Sequence, residues 1–420
     1  MEGNTDVIAP RFAPRLLAGP PPAAGTESLA QHRSRLGPPA GPGAQRDAIA
    51  LIEASGLLGR GGAAFPAGRK WRGIAERTTG GAVVVVNGAE GEPGSAKDRT
   101  LMAFRPHLVL DGAALAARAI GADEVIVYAG TEHRHAIAAM GRAIAERQHE
   151  GGVPVRLVEA PRGYVSGEQS AAVHYINTGD ARPTASPPRP YERGVRGQPT
   201  LVQNVETLAH AALIARQGDA WYRSAGRAET RGTALVTVSA GPHHMSVREV
   251  ELGMSVAEVL AGIGQGTDGM QAVLLGGYFG TWARADEARD LPLDPIVLRS
   301  RGLALGAGVV SILGADDCGV RVTSQLMSYM AGESAAQCGP CVFGLRSIAE
   351  ALGRVASGVA PGDDLYRIER WADQVRGRGA CAHPDGAVGL LASAFRTFGD
   401  EFLLHQRRRC SAPARAAEVA

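Results

Sequence analysis

Lysine is rare in this 420-residue chain and occurs only in two glycine-rich loops. Of the 44 basic residues only two are lysine, namely Lys70 in GLLGRGGAAFPAGRKW and Lys97 in NGAEGEPGSAKDR. A lysine ammonium is a compact charge whereas an arginine is a planar fork, so the two do not replace one another at a tight phosphate or acid site. We therefore interpret Lys70 as a phosphate ligand. Lys97 fits either an anion site or a structural ion pair with its neighbour Asp98.

The loop before Lys70 has four glycines between positions 59 and 68. Small residues let backbone N–H groups converge on an anion, particularly where a helix starts just after the loop. The spacing matches neither a P-loop nor a dinucleotide fingerprint, so an ordinary surface turn is the alternative interpretation. The second loop places Glu90 and Glu92 shortly after a run of four valines. Acids at the carboxyl end of a buried strand could accept hydrogen bonds from a ribityl chain, a ribose or an amide.

The five cysteines all lie in the C-terminal third of the chain and are Cys318, Cys338, Cys341, Cys381 and Cys410. The first residues contain no apolar run of the length that a signal peptide needs, and no apolar stretch reaches the ~20 residues that span a bilayer. We therefore expect a cytoplasmic protein without direct membrane insertion. In that compartment thiols are metal ligands or free thiols rather than disulfides.

Composition restricts the class of protein further. The chain is 45% hydrophobic and 20% charged, with a net charge of +2. These values are typical of a soluble globular protein, and the near-neutral charge gives no support to a nucleic-acid-binding or membrane-surface role. A chain of this length predicts two or three domains.

The pattern of predicted helices and strands, which must position these residues, changes along the chain. Strands and helices alternate over residues 46–227, which predicts a doubly wound parallel sheet. Residues 228–317 are typical of a small mixed α+β module, in which 272–283 is predicted as one strand with a glycine bend. Residues 318–408 predict a helical bundle that holds the cysteines. A Pro-, Gly- and Ala-rich segment, 1–45, is predicted to be a flexible arm, and 409–420 a tail.

Six ordered strings carry a resemblance to a known family: GRGGAAFPAGRKW, VVVNGAEGEPGSAKDR, GYVSGEQSAAVHYI, GQPTLVQNVETLAH, ESAAQCGPC and GACAHPDGA. Over about residues 46–405 the chain resembles the flavin-carrying, NADH-oxidising subunit of respiratory complex I and its relatives in soluble hydrogenases and formate dehydrogenases. The resemblance implies a Rossmann-like FMN-binding α/β domain, a β-grasp module of the soluble-ligand-binding type and a helical bundle with a [4Fe–4S] cluster. These three parts agree with the changes in character described above.

Carried over by position, the resemblance implies FMN contacts in both glycine loops and in two later strings. They are Gly59, Arg60, Gly61, Gly62, Lys70, Asn87, Glu90, Gly167, Glu168 and Asn204. It also implies that Glu92, the catalytic position, lies beside the nicotinamide and that Phe65 stacks on the dinucleotide.

The chain departs from the family pattern at several of these strings. Ala89 stands where the family has an aspartate, Gln169 replaces an acid, and Gln203 replaces an asparagine. In the family, two further aromatic residues help to clamp NADH. This chain has Gly73 and Arg189 at those two positions. Each lost stacking ring removes about 1 kcal/mol. Flavin binding is therefore better supported than NADH binding.

The metal-binding string is altered as well. The family pattern has three cysteines spaced C-x₂-C-x₂-C and a fourth about forty residues on, but the first position here is Ala335. Cys338, Cys341 and Cys381 remain as metal ligands. Three thiolates could hold a [3Fe–4S] cluster, or a [4Fe–4S] cluster whose last iron takes water, Ser334, His383 or another cysteine. A structural zinc site of these three cysteines and His383 is the alternative, while Cys318 and Cys410 are expected to be ordinary thiols unless one is a replacement ligand.

Two electron-transfer functions remain open from the sequence, and a structural protein without cofactors is a third alternative. In the first, hydride passes from NADH to FMN, and single electrons pass through the cluster to a protein acceptor, such as a ferredoxin or a quinone-reducing partner subunit. In the second, the chain is a relay subunit that keeps FMN and cluster but does not oxidise NADH, exchanging electrons with a ferredoxin or partner flavoprotein.

Overall fold

The computed structural model describes residues 13–38, 48–78, 80–240 and 245–413. Its first sheet has four strands, β1 (Val83–Gly88), β2 (Glu124–Gly130), β3 (Val155–Ala160) and β4 (Thr200–Asn204). All neighbouring strands are parallel, and their order is β3-β2-β1-β4. The strand β4, which the sequence pattern did not reveal, therefore pairs with β1 and not with β3.

Helices cover both faces of this parallel sheet. They are α1 (Leu29–Leu36), α2 (Ala48–Ser55), α3 (Ala67–Ala75), α4 (Lys97–Phe104), α5 (Pro106–Ile120), α6 (Arg134–Glu146), α7 (Gln169–Thr178), α8 (Val205–Gln217) and α9 (Asp219–Arg223). Val84 and Val86 of β1 belong to one buried cluster, and Val83 and Val85 to another on the opposite face. A strand that is buried on both faces is uniformly apolar. The prediction of a doubly wound parallel sheet is confirmed.

A second, mixed sheet follows. Its strands are β5 (Thr233–Ala240), β6 (Met245–Glu251), β7 (Met270–Leu275), β8 (Thr281–Arg284) and β9 (Val309–Gly314), in the order β6-β5-β9-β7-β8. Three helices, α10 (Val256–Ala261), α11 (Ala285–Ala288) and α12 (Pro295–Ser300), belong to this part of the chain. The strand β5 is parallel to β9, and the other pairs are antiparallel.

The prediction of a single strand over 272–283 is wrong. Those residues form a hairpin in which Leu275 of β7 pairs with Thr281 of β8. Gly276 and Gly277 have φ of +93° and +92°, a backbone conformation that favours glycine. Two consecutive left-handed residues reverse the chain, so the glycines end one strand and begin the return to another.

The C-terminal part is helical, as predicted. It contains α13 (Gly319–Gly332), a π-helical turn (Pro340–Leu345), α14 (Arg346–Ala356), α15 (Asp364–Val375), α16 (His383–Thr397) and α17 (Gly399–Gln406). Its core is built from aliphatic side chains such as Leu352 and Leu391, which are fully buried. No helix of the described residues is both long enough and apolar enough to cross a membrane.

Residues 13–38, inside the predicted arm 1–45, are folded against the parallel-sheet domain. Leu16 is buried in its core. His32 Nε2 lies 2.8 Å from Asp111 Oδ2, and His32 Nδ1 lies 3.3 Å from Glu27 Oε2. The flexible-arm prediction is wrong for these residues, because partners distant in sequence hold a segment whose composition is that of a loop. Residues 1–12 and 39–45 lie outside the described part of the chain.

We expect His32→Ala to destabilise the fold by about 3 kcal/mol, because it removes one member of a buried ion cluster. Burial opposes the charged imidazole, but the hydrogen bonds from His32 to Asp111 and Glu27 outweigh it and raise its pKa above 6.5. The stabilisation is therefore complete below pH 6.5 and is lost as the pH rises through the raised pKa. Urea unfolding across this pH range checks both points.

The exposed His149 provides the matched control. His149→Ala should leave the free energy of unfolding almost unchanged at every pH. Equal effects of the two substitutions would contradict a structural role of the His32 cluster.

Candidate functional site

The strands β1 and β4 form the topological switch point of the parallel sheet. The chain passes from β1 outward to β2 and β3, and then returns to β4 on the other side of β1. Ligands of open α/β sheets bind in the crevice at the carboxyl ends of such strands. Asn87 and Asn204, which are register partners at this edge, are two of the predicted cofactor contacts. The sheet therefore brings together residues that lie far apart in the sequence.

The two asparagines tie the surrounding loops to one another. Asn87 Nδ2 donates a hydrogen bond to Gly167 O at 2.9 Å. Asn204 Nδ2 donates to Asp98 Oδ2 at 2.7 Å, and Asn204 Oδ1 accepts from Glu206 N at the start of α8. Both side chains are thus held rigidly at the edge of the sheet.

The first glycine loop lies over this edge. Gly59 N donates to Phe65 O at 2.8 Å, which closes the loop just before α3. A Cβ on Gly61 would lie 3.4 Å from the Cβ of Asn204, and Gly62 has a φ of +104°. Glycine is required at Gly62 by its backbone conformation, and at Gly61 it keeps the loop backbone close to the sheet. Phe65, at the end of the loop, is 52% exposed and available for stacking.

Lys70 is the predicted phosphate ligand of the first glycine loop. It projects from the first turn of α3, and its Nζ donates to Val202 O of β4 at 2.6 Å. No carboxylate of the described residues lies within ion-pairing distance of it. Burial without a counter-ion lowers the pKa of Lys70 to about 8. An anion at this position would relieve an ammonium that the protein leaves without a negative partner.

Lys97 has the opposite environment. It is 3% exposed, and its Nζ lies 2.7 Å from Asp98 Oδ1 and 2.9 Å from Glu206 Oε2. Burial opposes the charge, but these two carboxylates outweigh it and raise the pKa of Lys97 well above its usual value. Of the two interpretations of Lys97, the geometry supports the structural ion pair.

Arg60 is a member of the same interior network. Its guanidinium donates to Tyr222 Oη at 3.1 Å and to Thr233 O at 2.9 Å, and it lies 3.7 Å from Glu206. Its backbone N–H donates to Thr207 Oγ1. The side chain of Arg60 is therefore buried between the parallel sheet and the mixed sheet, where it joins the two.

Glu90 caps the amino terminus of α4. Its carboxylate accepts from Ser95 Oγ at 2.5 Å and from the backbone N–H groups of Asp98 and Arg99. Burial, followed by the charge of Asp98, raises the pKa of Glu90. The capping bonds fix the second glycine loop at the start of a helix, where the backbone favours negative charge.

Glu92 joins three segments of the chain. Its Oε2 accepts from Tyr164 Oη at 2.9 Å and from Tyr278 N at 2.8 Å, and its Oε1 accepts from Gly94 N. Burial raises the pKa of Glu92. A Cβ on Gly277 would lie 2.6 Å from Oε2, so the mixed sheet approaches this carboxylate through a glycine. Glu92 is thus positioned at the junction of the two sheets.

Gly167 and Glu168 bring a further loop to the same edge. A Cβ on Gly167 would lie 2.4 Å from Ala89 O, so only glycine permits this approach. Glu168 caps α7 by accepting from Ser170 N and Ala171 N. Burial raises the pKa of the Cys381 thiol, and the negative charge of Glu168 adds to this rise.

The three predicted cysteine ligands converge at one end of the helical bundle. Cys341 is buried, and burial together with its neighbours Cys338 and Cys381 raises its pKa to about 12. The nearby Ser334 hydroxyl opposes this rise and lowers the pKa of Cys341 in part. Iron–sulfur clusters are held by cysteine thiolates, normally four, so these three residues could supply three of the ligands.

The cysteine-bearing segment packs against the loops at the carboxyl edge of the parallel sheet. Glu333 Oε2 accepts from Tyr164 N at 2.7 Å, and Gln337 Nε2 donates to Pro183 O at 2.9 Å. The rings of Tyr164 and His383 lie 5.6 Å apart. Tyr164 therefore contacts both Glu92 and the cysteine-bearing segment, and it connects the two candidate cofactor sites.

Tyr164 was not singled out in the sequence, and Gln203 was noted there only as a departure from the family pattern, yet both lie at the candidate site. Tyr164 is a half-buried aromatic in the glycine-containing string GYVSGE, a signal that could have identified it. Gln203 is buried beside the first glycine loop, and its Oε1 has no hydrogen-bond partner among the described residues. A buried amide of this kind fits a polar ligand at the switch point.

Comparison with known proteins identifies the family of the chain. Residues 52–212 match the family described as the Nuo51 FMN-binding domain, and residues 321–405 match the NADH-ubiquinone oxidoreductase-F iron-sulfur binding region. The chain is 32% identical over 377 residues to the NADH-quinone oxidoreductase F 2 subunit of Rhizobium meliloti (strain 1021), an alignment that covers 86% of this chain and 89% of the relative. The chain belongs to the family of NADH-quinone oxidoreductase F subunits.

Other relatives of this family come from hydrogenases. The NADP-reducing hydrogenase subunit HndC of Solidesulfovibrio fructosivorans is 29% identical over 381 residues, covering 87% of this chain and 77% of the relative. A chain of an NAD⁺-reducing [NiFe]-hydrogenase in the H2-reduced state superposes with a TM-score of 0.80 at 28% identity, covering 90% of this chain and 67% of that one. As a member of the F-subunit group the chain is an NADH dehydrogenase-type electron-transfer oxidoreductase with FMN-binding and iron–sulfur-binding regions.

Proposed function

We propose that the chain binds FMN at the switch point, oxidises NADH there, and passes the electrons through an iron–sulfur cluster to a partner protein. The half-buried Lys70, whose ammonium has no carboxylate partner in the described part of the chain, is the observation that carries the proposal. The FMN phosphate is an anion that would complete this site. FMN when bound supplies hydride acceptance and single-electron release.

The residues of the chain bind and orient the cofactor and need no acid or nucleophile. Lys70 would neutralise the phosphate, and the backbone of Gly59, Gly61 and Gly62 would line the cradle. Asn87 and Asn204 would hold the edge of the sheet against the flavin. Glu92, fixed by Tyr164 and Tyr278, would position the nicotinamide.

The proposed roles of the remaining residues follow from their contacts. Glu90 and Glu168 would act by fixing the loops that they cap, and Gly167 by its close backbone approach to Ala89. Arg60 would support the cradle from the interior. We propose 46–227, 228–317 and 318–408 as the extents of the flavin, β-grasp and iron–sulfur units.

The three cysteines fit an iron–sulfur cluster with one iron that lacks a cysteine ligand. Ser334 is the favoured fourth ligand, because its hydroxyl lies near enough to the Cys341 thiol to lower the pKa of that thiol. The ring of His383 packs between Tyr164 and Phe279, its Nε2 lies 2.7 Å from Met330 O, and its Nδ1 has no hydrogen-bond partner among the described residues. Because residues 321–405 match an iron–sulfur binding region, a [4Fe–4S] cluster with an oxygen ligand, or a [3Fe–4S] cluster, is proposed over a zinc site with His383.

We expect Ala335→Cys to restore the four-cysteine pattern and to yield about four irons per chain in anaerobically purified protein. The wild-type cluster should lose one iron on oxidation, because a hydroxyl or water ligand holds iron less firmly than a thiolate. Iron and sulfide analysis with electron paramagnetic resonance measures the difference. Cys381→Ser, which removes a proposed ligand, is the control and should lower the iron content. Identical oxidation behaviour of wild type and Ala335→Cys would contradict the proposal.

The alternative is a relay subunit that does not oxidise NADH. It is favoured by Gly73 and the exposed Arg189, which stand where aromatic clamps are expected. Anaerobic titration distinguishes the two functions. Bleaching of the flavin absorbance by micromolar NADH supports the proposed function, whereas reduction by ferredoxin but by neither NADH nor NADPH supports the relay.

A further inference from the structure

A second cluster of metal-binding side chains lies in the helical bundle, apart from Cys338, Cys341 and Cys381. Cys318, Glu401, His405 and Cys410 each offer one ligand atom, and all four atoms lie within 4.8 Å of one another. We propose that these four residues form a binding site for a zinc ion. None of them belongs to the flavin site or to the proposed iron–sulfur ligands.

The distances between ligand atoms agree with a zinc tetrahedron. Cys318 Sγ lies 3.2 Å from His405 Nε2 and 3.9 Å from Glu401 Oε1, and His405 Nε2 lies 3.3 Å from Glu401 Oε1. Bond lengths of ~2.3 Å to sulfur and ~2.0 Å to nitrogen or oxygen place the corners of such a tetrahedron about 3.3 to 3.8 Å apart. An ion can therefore enter with small side-chain adjustments.

The surrounding hydrogen bonds orient two of the ligands. His405 Nδ1 lies 3.2 Å from Val355 O, which directs Nε2 to the cluster. Glu401 accepts from Ser411 N at 3.0 Å and from Ser411 Oγ at 2.5 Å. Metal-ligating histidines usually donate their other N–H to a carbonyl or carboxylate, and ligating carboxylates are themselves hydrogen-bonded.

The local backbone explains how the four residues meet. Cys318 is the N-cap of α13, while Glu401 and His405 lie one turn apart on α17. Arg408 has a φ of +58°, and the turn at this residue brings Cys410 back to the bundle. A bound ion would fasten the end of the described chain to the first helix of the bundle.

The chemistry of the donor set selects zinc. Two thiolates, an imidazole and a carboxylate favour zinc over calcium or magnesium, which prefer oxygen ligands. Binding one Zn²⁺ forms two Zn–S bonds and releases the two thiol protons to solvent, so no oxidant or reductant is needed. Cys318 and His405 are buried, and Cys410 is accessible enough to admit the ion.

The test measures zinc in the full-length, anaerobically purified protein after one equivalent of ZnCl₂ and desalting. We expect about one zinc per chain, with a zinc-edge X-ray absorption spectrum that shows two sulfur and two nitrogen or oxygen ligands. Cys410→Ser should weaken zinc binding about tenfold or more. Cys381→Ser, a thiol of the other cluster, is the matched control and should leave this zinc unchanged.

Several results would overturn the site. They are wild-type protein without zinc, zinc that Cys410→Ser retains unchanged, a spectrum with three sulfur ligands, or a Cys318–Cys410 disulfide found by mass spectrometry of unreduced peptides. The three-sulfur result would place the ion at Cys338, Cys341 and Cys381. The spectrum is recorded on wild-type protein, so the test does not depend on the folding of a variant.

Discussion

Lys70→Ala is expected to weaken FMN binding about 10- to 100-fold while changing riboflavin binding little. A hydrogen bond to a charged group contributes about 1.5 to 3 kcal/mol, and each 1.4 kcal/mol is about tenfold in affinity. Riboflavin has the same ring and ribityl chain but no phosphate. Comparing the two ligands therefore separates the effect of Lys70 on phosphate binding from its effect on the shape of the pocket. Fluorescence titration of flavin-free protein with both ligands measures the difference.

The pH dependence provides a second check on Lys70. Burial lowers its pKa to about 8 in the flavin-free protein. The ammonium form binds phosphate, so FMN affinity should fall as the pH rises above about 8. Lys70→Arg keeps its charge over this range and should show no such fall. If Lys70→Ala weakens FMN and riboflavin equally, the side chain does not bind the phosphate.

The largest expected loss of stability is for Glu206→Ala, about 3 to 5 kcal/mol. Glu206 is fully buried and lies 2.9 Å from Lys97 Nζ and 3.7 Å from the Arg60 guanidinium. Its removal leaves two buried cations with one carboxylate fewer. Denaturant unfolding monitored by circular dichroism measures the change.

Glu350 provides the matched control for Glu206. It pairs with Arg346 at 3.2 Å on the surface of α14, and both side chains are exposed. Because exposed ion pairs contribute little, Glu350→Ala should change the free energy of unfolding by less than about 0.5 kcal/mol. A loss at Glu206 no larger than this would show that the interior network is dispensable.

Short sequence patterns were sufficient to predict much of the fold. Four consecutive valines followed by Asn87 and Gly88 indicated a strand covered on both faces, and β1 is such a strand. The glycine loops were recognised because glycine is required where the backbone approaches closely. The helical bundle was recognised because its apolar residues recur at helical spacing. These features depend on neighbours in the sequence, so the sequence reveals them.

Features that depend on distant partners were not predicted. The segment 13–38 looked like a loop, yet His32 is held by Asp111 from another helix. The sequence predicted one strand over the hairpin around Gly276, because a bend within a strand and the turn of a hairpin have the same residue composition. The cluster around Cys318 was likewise missed, since its four members come from three segments.

The sequence by itself indicated the family and the two glycine loops, and it predicted Cys338, Cys341 and Cys381 as metal ligands. Only the tertiary structure distinguished the two lysines, although both lie in similar loops. Lys97 forms an ion pair with Glu206, which lies in α8, the helix that follows β4. Lys70 instead donates a hydrogen bond to a backbone carbonyl of β4 and pairs with no carboxylate among the described residues. The charge state and role of a buried group depend on what the fold places within a few ångströms of it, and the residue type alone does not contain that information.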